Sequence, residues 1–177
     1  MTAEHAHPWA AIDPRPHQAS ALAELESLLA REAVKRPITF VGEFGAGKTA
    51  LARYWLARHF SEPERHYVAL GDALTRALME DAPIEEYADA PGKAKVALRI
   101  ALDSVLEESF AEGEAVVIDS IEILHDYNIP LLTIVEPYTR AGKVAVVCVP
   151  DSPRHGFSFD FPPFECYPIP VDASLDD

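Results

Sequence analysis

The stretch GEFGAGKT, Gly42 to Thr49, follows the apolar run ITFV and leads into the helix-forming run ALARYWLARHF. No other segment restricts the fold as much. Gly42, Gly47, Lys48 and Thr49 match G-x-x-x-x-G-K-[ST]. In that pattern, glycines let the backbone curl until successive N–H groups point inward at phosphate oxygens. A helix that starts at the motif adds the positive end of its dipole. The lysine neutralises β- and γ-phosphates. The adjacent hydroxyl takes a place on Mg2+, which prefers oxygen ligands and keeps several waters. The expected nucleotide-binding set is Gly42, Glu43, Phe44, Gly45, Ala46, Gly47, Lys48, Thr49 and Ala50, with ATP and Mg2+ as cofactors. A glycine-rich turn without a ligand is the bland alternative. The buried strand before the motif and the helix after it favour the phosphate loop.

Such a loop needs a chain that alternates strands with helices. From His17 the leucines Leu22, Leu25, Leu28 and Leu29 recur at helical spacing, and this helix is expected to end near Arg36, before Pro37. ITFVG reads as a buried strand closed by glycine. KTALARYWLARHF is a helix, HYVAL a short strand and GDALTRALMEDA a short helix. PIEEYADAPG is expected to be a surface loop, and KAKVALRIALDSVLEESF an amphipathic helix. EAVVID is a third buried strand, IPLLTIVEPYTRAG mostly helix, and KVAVVCVP a fourth buried strand. FECYPIPV gives a fifth, limited by Pro168 and Pro170 to an edge or a short piece. The fold class is therefore α/β: a three-layer sandwich with a mainly parallel sheet of about five strands. Residues 1–16 read as an irregular segment, 17–170 as one domain and 171–177 as an acidic tail.

Ligands of parallel sheets sit beyond the carboxyl ends of the strands. Asp119 lies at one such end, on AVVID, where its carboxylate would hold a water on Mg2+; a cap at a strand exit is the alternative. The expected catalytic set is Lys48, Asp119 and Ser120, and the metal set is Thr49 and Asp119. Ser120 stands where many ATPases carry a glutamate that orients the attacking water. A hydroxyl is a poor general base at neutral pH. Hydrolysis is then slow, or the base comes from Glu122, from Glu43, or from a partner protein in trans.

Composition excludes some classes. A net charge of −14 argues against direct, sequence-independent nucleic-acid binding and against anionic membranes. No apolar run approaches the ~20 residues of a membrane span, and the N-terminus does not read as a signal peptide. Cys148 and Cys166 sit in apolar strand-like segments, which suits reduced, buried thiols in a cytoplasmic protein.

With GEFGAGKT, AVVIDS and VAVVCVPDS in hand, the sequence resembles the P-loop NTPases, within the branch that includes the AAA+ and STAND ATPases. The resemblance spans Arg36 to Pro170. It implies a further strand between the phosphate-loop strand and the acidic strand, in sequence and in the sheet, although order makes HYVAL peripheral. It also implies a sensor residue after the next strand, at Asp151 or Ser152. Two departures are the serine after Asp119 and the lack of a helical lid after FECYPIP. The missing lid puts ring hexamers in doubt and leaves other homo-oligomers open. The stretch IDSIEILHDYNIPLLTIVEPYTRAGKVAVVCVPDS looks like the corresponding part of the BrxF family, small P-loop proteins of BREX phage-defence systems. That likeness implies an ATPase accessory of an antiviral complex with larger protein partners.

Other residues carry weaker signals. Gln18, in RPHQ, resembles the adenine-reading glutamine of superfamily 2 helicases, although the rest of that pattern is missing. Arg154 is the better finger or sensor candidate, ahead of Arg140. His125 and His155 are lone histidines near the strand exits. Tyr54 and Trp55 read as packing residues. ATP is favoured over GTP because no N-K-x-D stretch reads guanine. Two other classes stay open: a non-hydrolysing, nucleotide-dependent assembly module, and a small-molecule kinase.

Overall fold

In the computed structural model, residues 7–31, 34–158 and 165–172 are described. The end of the acidic tail and the first six residues lie outside them. The strands are β1 (Ile38–Gly42), β2 (Tyr67–Ala69), β3 (Ala115–Asp119), β4 (Val144–Pro150) and β5 (Tyr167–Pro170). They form one five-stranded sheet in the order β2-β3-β4-β1-β5, and every pairing is parallel. The fold class expected from the sequence is the one observed.

The helices are α1 (Pro16–Leu29), α2 (Lys48–His59), α3 (Leu70–Asp81), α4 (Glu85–Ala88), α5 (Pro91–Glu112), α6 (Glu122–Asp126) and α7 (Leu131–Arg140). Alternation along the buried strands divides the core in two. Ile38, Phe40, Ala115, Val117, Val146, Cys148 and Ile169 pack against α1 and α2. Val116, Ile118, Ala145, Val147 and Val149 pack against α3, α5 and α7. The sheet is thus covered on both faces, as strands apolar on both sides require. On α5 the buried residues Leu98, Leu102, Leu106 and Phe110 repeat every four positions, which stacks them on one helix face. Among the described residues no helix is long and apolar enough to cross a membrane.

Three expectations shift. First, α1 ends at Leu29, not near Arg36. Its buried stripe ends at Leu28, and the chain beyond is tied down where the Thr139 hydroxyl donates to the Lys35 carbonyl at 3.0 Å. Second, PIEEYADAPG is not wholly a loop. It holds α4, because Tyr87 is buried there and its hydroxyl donates to Asp81 at 2.8 Å. Third, the strand between β1 and β3 in the sheet is β4, which follows β3 in sequence; HYVAL, as β2, lies at the edge, as its order implied. After β3 the chain turns into the short helix α6. The proline-rich β5 does lie at an edge, beside β1, where missing amide donors matter least.

Because all strands run the same way, the carboxyl ends of β1, β3 and β4 meet at one edge of the sheet. Gly42 pairs with Pro150, and Ala69 with Asp119. The central Phe40, fully buried on β1, holds that edge in register. Phe40→Ala should destabilise the fold by about 3–5 kcal/mol. Denaturant unfolding checks this, and a loss below about 1 kcal/mol would contradict the packing described.

Candidate functional site

The phosphate loop is built by backbone first. Gly42 lies against the chain after β5, where a Cβ would come 2.2 Å from the Val171 carbonyl oxygen. Gly45 and Gly47 have φ of 82° and 89°, a region that costs other residues energy. Gly47 then caps α2. The Lys48 ammonium reaches back and donates to the carbonyls of Gly42 at 2.6 Å and Glu43 at 2.7 Å. Lys48 is buried. Burial draws its pKa below the ordinary 10.5, against the pull of Asp119 and Glu122. The loop is therefore closed on its own lysine, with a positive charge beneath curled backbone.

Asp119 is the second centre. Its Oδ2 accepts from the Thr49 hydroxyl at 2.6 Å and from the Tyr67 hydroxyl at 2.7 Å. Its Oδ1 accepts from the Ser120 N–H at 2.8 Å. Burial, and then Asp119 itself, push the Tyr67 pKa above its usual value, so Tyr67 stays a donor. The juxtaposed Thr49 hydroxyl and Asp119 carboxylate are hard oxygen donors of the kind Mg2+ takes. Among the described residues no group of three or more His, Cys, Asp or Glu could hold an ion. A cation here would rely on ligand oxygens and water for the rest of its shell, which is how Mg2+ binds beside phosphates.

These groups line a cavity of about 350 Å³ that includes Lys48, Thr49, Arg53, Asp119, Glu122 and Cys148. Ser120 is not among its lining residues. It takes a left-handed conformation, φ 58°, and its carbonyl accepts from Gly71 N–H at 3.0 Å. Glu122, the first residue of α6, does line the cavity. Glu43 is engaged elsewhere: its Oε2 accepts from the Ser152 hydroxyl at 2.6 Å. With that proton committed, His155 Nδ1 donates to the Ser152 oxygen at 2.7 Å. Of the two sensor positions, Ser152 is buried and joins β4 to the phosphate loop, and the Asp151 N–H donates to the Gly42 carbonyl at 3.0 Å.

The remaining candidates separate by place. Arg140 ends α7 just before β4 begins, at the far edge of the sheet, and pairs with Glu136 at 2.7 Å. Arg154 is exposed in a short turn after β4, on the same edge as the loop. His125 is exposed, with its ring 4.9 Å from Phe157. Tyr54 and Trp55 are buried, as expected of packing residues. Cys148 and Cys166 are free and buried, and burial holds the Cys148 thiol protonated.

A second cavity, of about 250 Å³, is lined by Trp9, Ile12, Asp13, Gln18, Arg53 and Tyr54 among others. Gln18 stands at its border with the loop. The Gln18 Oε1 accepts from Arg15 N–H at 2.8 Å, and its Nε2 lies 3.5 and 3.4 Å from the carbonyls of Ala46 and Gly47. Sequence reasoning missed Tyr67, Arg53, Trp9 and Asp13. Only Arg53 left a signal: it lies four residues after Thr49 on α2, hence on the same helix face.

A Cβ on Gly47 would come 1.9 Å from Gln18 Nε2. Gly47→Ala should cost about 1–3 kcal/mol, the left-handed backbone plus the displaced amide. Adding Gln18→Ala should return the steric part only. Thermal unfolding of the single and double variants checks this, and identical costs would contradict the close contact.

No protein-family model matches the chain, and no curated protein matches it. Among solved structures, the crystal structure of Pif1 helicase from Candida albicans is similar, with a TM-score of 0.42 and 14% identity. The match covers 93% of this chain and 41% of that one, so the chain spans about two-fifths of that protein's length.

Proposed function

We propose that the chain binds ATP with Mg2+ in the cavity at the carboxyl edge of the sheet and hydrolyses it slowly or when a partner completes the site. The observation that carries this is the convergence of Lys48, Thr49 and Asp119 in one cavity below a loop of curled backbone. Lys48 would exchange two carbonyl partners for phosphate oxygens, a stronger, charge-assisted pairing. The N–H groups from Gly45 to Ala50 would cradle the phosphates. Thr49 would ligate the metal, and Asp119 would hold a water on it. Bound there, Mg2+ supplies charge neutralisation across the β- and γ-phosphates.

Glu122 is the carboxylate best placed as base, since Glu43 is held by Ser152 and Ser120 does not line the cavity. A water oxygen attacks the γ-phosphorus, its proton passes to the Glu122 carboxylate, and the bond to the ADP oxygen breaks. The second cavity is the place for the base, with Gln18 at the border between base and phosphates. The likeness to BrxF supports a place in an anti-phage complex with larger proteins, inside a single domain from 17 to 170 that works in the cytoplasm. Copurification with defence proteins encoded beside it would be the check on that part.

Lys48→Ala should lose about 2–4 kcal/mol of ATP affinity; unchanged binding by calorimetry would refute the phosphate-loop reading. Glu122→Gln should keep ATP affinity and lower phosphate release about 100-fold. Release at the wild-type rate would move the base elsewhere. ATP binding with no release in the wild-type chain, alone or with its partner, would favour a non-hydrolysing assembly module.

A further inference from the structure

Among the described residues, only Ala50 and Arg53 line both the phosphate cavity and the Trp9 cavity. A ligand that reaches from one to the other must pass them, and Arg53 brings the polar side chain. Its guanidinium is poised rather than satisfied. One terminal nitrogen donates to the neutral Tyr67 hydroxyl at 3.2 Å. The guanidinium carbon lies 4.6 Å from the Tyr67 ring centre and 5.2 Å from that of Trp9. Its Nε is buried with no hydrogen-bond partner. An orphaned buried donor is costly, and a planar cation with donors to spare matches a phosphate or a carboxylate better than a phenol.

We propose that Arg53 is the specificity residue that makes this a site for a nucleoside phosphate rather than for free polyphosphate. Its guanidinium grips the α-phosphate at the junction of the two cavities. This rests on the nucleotide reading above and adds to it a residue outside the loop motif. Trp9 and Tyr67, themselves packed edge to face, both lie against the guanidinium. On binding, Arg53 turns from the Tyr67 hydroxyl to the α-phosphate. Tyr67 keeps its bond to Asp119, so the metal-side carboxylate stays oriented.

The test compares ATP, AMP and inorganic pyrophosphate by calorimetry on the whole chain. Pyrophosphate fills the β and γ positions only. Arg53→Gln should weaken ATP and AMP roughly 10- to 100-fold and leave pyrophosphate within about twofold. In a Trp55→Phe background Trp9 emission should change with ATP and AMP and not with pyrophosphate. Equal loss of ATP and pyrophosphate would make Arg53 a mere structural clamp and overturn the proposal, as would no loss at all. If Arg53→Gln fails to fold, Arg53→Lys keeps the charge without the fork. It should still weaken ATP and AMP several-fold and spare pyrophosphate, and unchanged ATP affinity in that variant would overturn the proposal. Wild-type protein that binds no ATP would sink the nucleotide reading itself. Binding that depends on Lys48 and not on Arg53 would sink this inference alone.

Discussion

The buried ammonium of Lys48, drawn onto the carbonyls of Gly42 and Glu43, is the contact on which the arrangement of the site depends. It joins the first residue of α2 to the last residue of β1 and closes the loop between them. The same Gly42 carbonyl accepts from the Asp151 N–H beyond β4, and Glu43 accepts from Ser152. The ends of β1 and β4 and the start of α2 are therefore fastened around one positive charge. Burial of that charge is unfavourable in the absence of an anion, and burial draws the Lys48 pKa down. A phosphate would relieve what the fold leaves strained.

Asp119 is the counterpart. Thr49, Tyr67 and the Ser120 N–H all donate to it and fix the carboxylate's orientation. The serine after it marks a tight corner, in which its carbonyl anchors the start of α3 through Gly71. The carboxylate next along, Glu122, is delivered to the cavity by the short helix α6.

The glycine-rich turn before α2 and the parallel sheet were legible in the sequence because both depend on local pattern: glycines at fixed spacing and apolar runs bounded by turns. Asp119 was legible for the same reason, as the polar end of an apolar strand. What escaped depends on tertiary pairing. Nothing in HYVAL says that the Tyr67 hydroxyl meets Asp119, since β2 and β3 are joined only through register. Nothing near Trp9 says that it packs on Arg53, more than forty residues away. Helix α4 was hidden because a single buried side chain, Tyr87, gives no helical repeat in a run bounded by Pro83 and Pro91. The early end of α1 was hidden because the Thr139 bond that ties down Lys35 comes from a distant helix.

The most direct test of the account is a crystal structure with a non-hydrolysable ATP analogue and Mg2+. The account predicts phosphates within the curl of Gly42 to Thr49, the Lys48 ammonium moved from its two carbonyls to phosphate oxygens, and the cation between Thr49 and the Asp119 side. An analogue bound in another cavity, with Lys48 still on Gly42 and Glu43, would contradict it.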